Sequence, residues 1–131
     1  MPYKDDFGNI SDIENFVNSY INSFSEAIKN LDYTTIKEIV SLLENATKNK
    51  NKIFSIGNGG SCAISDHLCC DFTKGTHFES FPDLNTYSLG SNNSLTSAIA
   101  NDIGYEFVFS NQIKSFGAKD DILIAISSSG N

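Results

Sequence analysis

Basic side chains are scarce in this chain of 131 residues: nine Lys and Arg stand against sixteen Asp and Glu, for a formal net charge of −7. Nonspecific binding to nucleic acid or to an anionic membrane is driven by clustered cations, so that balance disfavours both roles. The one basic cluster, Lys48-Asn49-Lys50-Asn51-Lys52, is interleaved with Asn and reads as a solvated turn before a strand. No apolar stretch approaches a membrane span, and the start Met1-Pro2-Tyr3-Lys4-Asp5-Asp6 lacks the hydrophobic region of a signal peptide. A cytoplasmic protein is expected. Cysteine is sparse as well: Cys62, Cys69 and Cys70 are odd in number and include an adjacent pair. That usage suits reduced, mostly buried thiols rather than a disulfide framework. A Gly-x-Gly-x-x-Gly pattern and a glycine loop ending in Gly-Lys-Ser/Thr are both missing after a strand, which disfavours a nucleotide-binding fold. Repeats, low-complexity tracts and an interdomain linker are not evident.

What is present is an ordinary globular apolar fraction of 40%, enough for one domain with a moderate core, and two short loops of small residues. Gly57-Asn58-Gly59-Gly60-Ser61 follows the apolar run 52–56, and Ser127-Ser128-Ser129-Gly130-Asn131 follows the run 121–126. Apolar runs of this length bounded by Gly predict strands buried on both faces, as in a parallel sheet. Small residues at the carboxyl end of such a strand let the backbone approach a ligand, and a following helix N-terminus favours an anion. Two such loops in one sheet point to a polar, phosphorylated ligand held across neighbouring strand ends. Ordinary turns are the competing explanation.

Apolar residues recur at helical steps over residues 11–29, where Ser11 and Glu14 suit a capping box, and again over residues 33–47. These two leading helices read as packing or subunit-contact elements. Strands are predicted at 52–56, 85–89 and 121–126, with helices at 61–72, 94–101 and 105–116. The alternation predicts an α/β fold with a parallel sheet and right-handed crossovers. The organisation is one domain: leading helices over 1–50 and a parallel α/β portion over 51–131. A strand followed by an anion-binding loop should run into a helix that closes the site, and nothing follows Asn131. The chain is therefore expected to be a fragment or truncated product, with its C-terminal part missing.

Several side chains can carry chemistry. His67, Cys70 and Asp71 stand at i, i+3 and i+4 of the third helix, so they project from one side. An imidazole and a carboxylate one turn apart can hold a divalent metal such as zinc if further ligands come from elsewhere. Asp71 can alternatively act as general base on a carbon acid, or the pair can be a structural contact with a partly buried His67. Cys70 reads as a small buried thiol. Ser61 is either a helix N-cap or a hydroxyl donor to phosphate. Ser127, Ser128 and Ser129 can bond phosphate oxygens without any cation, or simply fill a turn. Asn101-Asp102 ends a helix before Gly104 and can also grip substrate hydroxyls. No partner is evident for His77.

Taken together, Ile56-Gly57-Asn58-Gly59-Gly60-Ser61, His67, Asn101-Asp102-Ile103-Gly104-Tyr105 and Ile126-Ser127-Ser128-Ser129-Gly130-Asn131 resemble the sugar isomerase (SIS) domain family and, within it, the phosphoheptose isomerases. The resemblance covers essentially the whole chain. It implies a three-layer, Rossmann-like fold and aldose–ketose isomerisation of sedoheptulose 7-phosphate to a heptose 7-phosphate, early in nucleotide-heptose synthesis for surface polysaccharide. It implies a cytoplasmic homotetramer, commonly zinc-containing, with sites at subunit contacts. By position, Asn58, Gly59, Gly60 and Ser61 would contact substrate, Asn101 and Asp102 would hold sugar hydroxyls, and Ser127, Ser128 and Ser129 would bind phosphate. His67 would be a zinc ligand. Asp71 falls where most members carry a glutamate that binds metal and moves the proton, and its side chain is shorter by one methylene. The family's remaining metal and acid–base groups would lie beyond Asn131, so the isolated chain is expected to be inactive. SIS domains also serve as noncatalytic sugar-phosphate sensors and as protein-interaction tetramers, one of them at bacterial replication initiation; a binding module is the alternative reading.

Overall fold

A computed structural model of the chain describes residues 13–77 and 82–130. The chain divides into two compact units, residues 1–38 and 39–131. The first contains helix α1 (Ile13–Lys29) and the opening of helix α2 (Tyr33–Lys48). The expected Ser11 cap lies outside the described residues. No residue of α1 is buried, and its apolar stripe of Phe16, Val17, Tyr20, Ile21 and Phe24 is exposed. Helix α2 begins at Asp32: the Thr34 N–H donates to Oδ1 at 2.9 Å and the Thr35 hydroxyl to Oδ2 at 2.7 Å. Those donors, the Thr35 hydroxyl foremost, hold the Asp32 carboxyl below its ordinary value.

The second unit holds the rest of α2 and then strand β1 (Lys52–Gly57), helix α3 (Gly60–Cys70), strand β2 (Asn85–Ser88), helix α4 (Asn93–Asp102), helix α5 (Val108–Phe116) and strand β3 (Ile122–Ile126). The three strands form one parallel sheet in the order β2-β1-β3, the α/β architecture that the alternation of elements predicts. Parallel strands need long crossovers, which α3 supplies from β1 to its neighbour β2, and α4 with α5 from β2 past β1 to β3.

Position in the sheet decides burial. Central β1 buries Ile53, Phe54, Ser55 and Gly57, while β3 leaves Leu123 and Ala125 exposed. The expectation that the run 121–126 is buried on both faces therefore fails for β3: among the described residues it pairs on one side only, and one of its faces is uncovered. Ala46, Ile53, Phe54, Leu89, Ile99 and Val108 form the apolar core. Phe54 and Tyr87 stack across neighbouring strands with centroids 5.8 Å apart.

The buried polar residues Thr47, Ser55, Ser65 and Gln112 are hydrogen-bonded, as their desolvation requires, whereas the buried Thr96 Oγ1 of α4 has no partner among the described residues. The Ser65 hydroxyl donates to Ser55 Oγ at 2.9 Å and lies 3.1 Å from Ser88 Oγ, linking α3 to β1 and β2. Gln112 Nε2 donates to the carbonyls of Leu89 and Val108, each at 2.9 Å. At the amino end of the sheet, Asp121 Oδ1 accepts the Lys52 N–H at 2.8 Å and Oδ2 accepts the Ala118 N–H at 2.8 Å. Desolvation pushes the Asp121 carboxyl up, but the Lys52 and Ala118 N–H donors, the Lys52 charge and Asn51 outweigh it and hold the group below its ordinary value.

Two predicted helices prove composite. The expected helix 61–72 is α-helical to Cys70 and then widens into a π-helical turn at Asp71–Gly75. Residues 105–116 start as a 3₁₀ turn at Tyr105–Phe107 before α5.

Candidate active site

Strand register brings the two small-residue loops together. Gly57, the last residue of β1, pairs with Ile126, the last of β3, so the chain leaves both strands at the same rim of a parallel sheet. Residues 58–60 and 127–130 are therefore neighbours at the carboxyl ends of adjacent strands, where open α/β sheets take their ligands.

The glycine loop is tightly built. A Cβ on Gly57 would come within 2.5 Å of the Ser61 carbonyl carbon and oxygen, so α3 begins directly against the strand end. Gly59 sits at φ 56° and ψ −125°, a backbone conformation that side chains with a Cβ rarely adopt. It is Gly59 that caps α3, without a side-chain bond; Ser61 lies inside the first turn, and its N–H donates to the Asn58 carbonyl at 3.0 Å. Ser61 is thus not the N-cap, and its hydroxyl stands at the positive end of an eleven-residue helix.

The serine loop is held by its own side chains. Ser127 Oγ accepts the Gly130 N–H at 3.1 Å and lies 3.3 Å from Ser129 Oγ. Ser127, Ser128 and Ser129 are all exposed.

Asn101 and Asp102 form the last turn of α4, where the Asn101 amide donates to Asp102 Oδ1 at 2.7 Å. They are linked to the rim through Tyr105, whose hydroxyl donates to Asn58 Oδ1 at 2.8 Å. That bond is the feature that reading the residues one by one misses. A tyrosine one residue beyond a glycine, just past a helix end, is the only local hint of it.

His67 on α3 and Asp71, the first residue of the π-helical turn that continues it, lie with Nε2 and Oδ2 3.5 Å apart and side chains 78% and 65% exposed. The partly buried histidine of the structural alternative is thus not what the fold presents. Two tetrahedral zinc ligands at ordinary bond lengths stand about 3.3 Å apart, so the pair fits a shared ion as two of its ligands. Among the described residues no third His, Cys, Asp or Glu joins them. Desolvation, with the Asp66 charge, raises the Cys62 thiol, and desolvation with the same charge raises Cys69 against a bond from Thr86. Cys70, expected to be buried, is exposed at the end of α3.

His77 does have a partner: its Nδ1 lies 2.6 Å from Asp83 Oδ1, away from the rim residues in sequence. A groove of about 480 Å³ beside β2 takes in Asp66, Cys69, Cys70 and Lys74 but none of the loop residues. Among the described residues no helix is long and apolar enough to cross a membrane.

A family model described as SIS domain matches residues 15–131. A phosphoheptose isomerase of Helicobacter pylori (strain ATCC 700392 / 26695) is 38% identical over 122 residues, covering 91% of this chain and 63% of that protein. One from Aneurinibacillus thermoaerophilus is 37% identical over 124 residues, covering 88% and 62%. Among solved structures, phosphoheptose isomerase GmhA from Neisseria gonorrhoeae superposes with a TM-score of 0.78 at 31% identity, over 92% of this chain and 61% of that one. The chain spans less than two thirds of the length of each of these relatives.

Proposed function

This chain belongs to the SIS domain family, and from that premise we propose that it is the sugar-phosphate-holding part of a phosphoheptose isomerase, acting on sedoheptulose 7-phosphate. The observation that carries the reading is the pairing of Gly57 with Ile126, which sets a glycine loop and a serine loop side by side at the carboxyl rim. In this reading the Ser127, Ser128 and Ser129 hydroxyls and the start of α3 receive the phosphate. The backbone of Gly59 and Gly60, with Asn58 and Ser61, lies along the sugar, and Asn101 and Asp102 hold hydroxyls.

Moving the carbonyl from C2 to C1 requires a proton to leave C1 and one to arrive at C2 by way of an enediol. Asp71 is the carboxylate assigned to carry it. His67 and Asp71 would hold a zinc ion together with further ligands, and the ion supplies positive charge as negative charge develops on oxygen. Since the pair provides only two ligands, binding is expected of these 131 residues and turnover is not. The exposed apolar stripe of α1 supports a homo-oligomer, with a tetramer proposed, and the three free cysteines support a cytoplasmic setting.

Calorimetric titration of the chain with sedoheptulose 7-phosphate tests the proposal. Saturable binding that is lost when the sugar lacks its phosphate, and lost again in Ser127→Ala/Ser129→Ala, is the expected result. Equal binding of sedoheptulose with and without phosphate would refute it.

A further inference from the structure

Tyr105 is 58% exposed, so its ring adds little to the core, yet its hydroxyl makes a 2.8 Å bond to a residue 47 positions away at the ligand rim. The acceptor is Oδ1 of Asn58, the side chain that leads out of β1 into the glycine loop. An asparagine amide has one accepting end and one donating end, and which end faces a ligand decides what the ligand must offer. The phenol takes one of the two lone pairs of Oδ1 and so fixes which way the amide is turned; Nδ2, the donating end, makes no hydrogen bond among the described residues.

Backbone geometry fixes where the phenol stands. Gly104, at φ 141° and ψ 146°, breaks the chain out of α4 directly after Asn101, Asp102 and Ile103, and Tyr105 opens the 3₁₀ turn that follows. A Cβ at Gly104 would also come within 2.9 Å of a Glu106 carboxylate oxygen. The tyrosine is thus the link by which the end of α4 is tied to the end of β1.

We infer that Tyr105 is a positioning residue of the sugar-phosphate site: by occupying Asn58 Oδ1 it turns the amide so that Nδ2 donates to ligand oxygens. The inference rests on the phosphosugar reading above and adds to it the polarity of Asn58, which selects a ligand oxygen that accepts over one that must donate. A bond this exposed contributes little to folding. Its effect is on orientation.

The test is a double-mutant cycle on the whole chain, with sedoheptulose 7-phosphate as the probe. Tyr105→Phe keeps the ring and removes only the hydroxyl; it is expected to weaken binding by about fivefold to tenfold, the worth of one oriented hydrogen bond. In an Asn58→Ala background the same change should weaken binding less than about twofold, since Tyr105 then has nothing to orient. A role in general loop stability would give additive losses, and that result overturns the inference, as does a Tyr105→Phe chain that binds like wild type. A wild-type chain that binds no sedoheptulose 7-phosphate overturns the phosphosugar reading itself. The orientation has its own check without any ligand: the side-chain ¹H–¹⁵N pair of Asn58 should move in Tyr105→Phe while the backbone amides of β1 stay in place. An unmoved pair overturns the inference even if the phosphosugar reading stands.

Discussion

The two loops at the carboxyl rim are built on opposite plans. In the glycine loop the constraints come from the backbone, from close packing and from one bond to a distant side chain: Gly57 has no room for a Cβ, Gly59 holds a conformation reserved for glycine, the Asn58 carbonyl takes the Ser61 N–H, and Asn58 Oδ1 takes the Tyr105 hydroxyl. In the serine loop the constraints include exposed hydroxyls reaching along the loop itself, Ser127 to the Gly130 N–H and to Ser129. The first loop is shaped before any ligand arrives, because its geometry follows from how α3 abuts β1. The second offers hydroxyl groups that can exchange their mutual contacts for phosphate oxygens at little cost.

Gly57→Ala puts the largest strain on this contrast. Its methyl group would meet Ser61 backbone atoms at 2.5 Å, which only a shift of α3 relieves. Chemical denaturation should show a loss of about 3 kcal/mol. A loss under about 1 kcal/mol would mean that the glycine loop is as adaptable as the serine loop.

Ser65→Ala comes next. Ser65 is 0% exposed and bridges Ser55 and Ser88 under the start of α3. Removing its hydroxyl leaves the buried Ser55 Oγ without that partner, for an expected loss of about 1.5 kcal/mol by the same denaturation measurement.

Asp121 sharpens the comparison from the far end of the same two strands. A carboxyl held below its ordinary value contributes stability that is present above its unfolded pKa of about 3.9 and is lost as pH falls through the folded value. Asp121→Asn should therefore be less stable than the parent at pH 6, by at most about 1 kcal/mol after solvent screening. The gap should close in thermal melts as the pH is lowered through 4 to about 3. A gap that persists unchanged at the acid end would assign the effect to packing.

Ser127→Ala should have the smallest effect on folding, under about 0.5 kcal/mol at an exposed loop position. If the hydroxyl receives phosphate, affinity for sedoheptulose 7-phosphate should still fall by about tenfold in titration. A large stability loss with unchanged affinity would reverse the roles assigned to the two loops.

Much of the framework was legible in the chain. The runs 52–56 and 121–126 are apolar and β-branched, and glycine or serine follows each, so strands and rim loops could be placed without coordinates. The helical spacing of Phe16, Tyr20, Ile21 and Phe24 showed α1 as amphipathic. Yet periodicity describes a face and not its neighbour, and none of that face is buried here. Asp32 was missed as the cap of α2 because its bonds to Thr34 and Thr35 depend on local geometry. Burial of β3 was overestimated because an apolar run does not report whether its strand is central or at an edge. The buried Ser55–Ser65–Ser88 contact joins three elements, and no spacing rule reaches across 33 residues.

By itself, then, the order of residues determined the element types, the small-residue loops after β1 and β3, and the one-turn spacing of His67 and Asp71, since each of these is set by neighbours a few positions apart. The fold alone decided that β1 lies between β2 and β3, that Gly57 faces Ile126, and that the Tyr105 hydroxyl meets Asn58. Those are contacts between residues tens of positions apart, and they come into being only when the hydrogen bonds of a parallel sheet and the packing of helices on it choose one register among many.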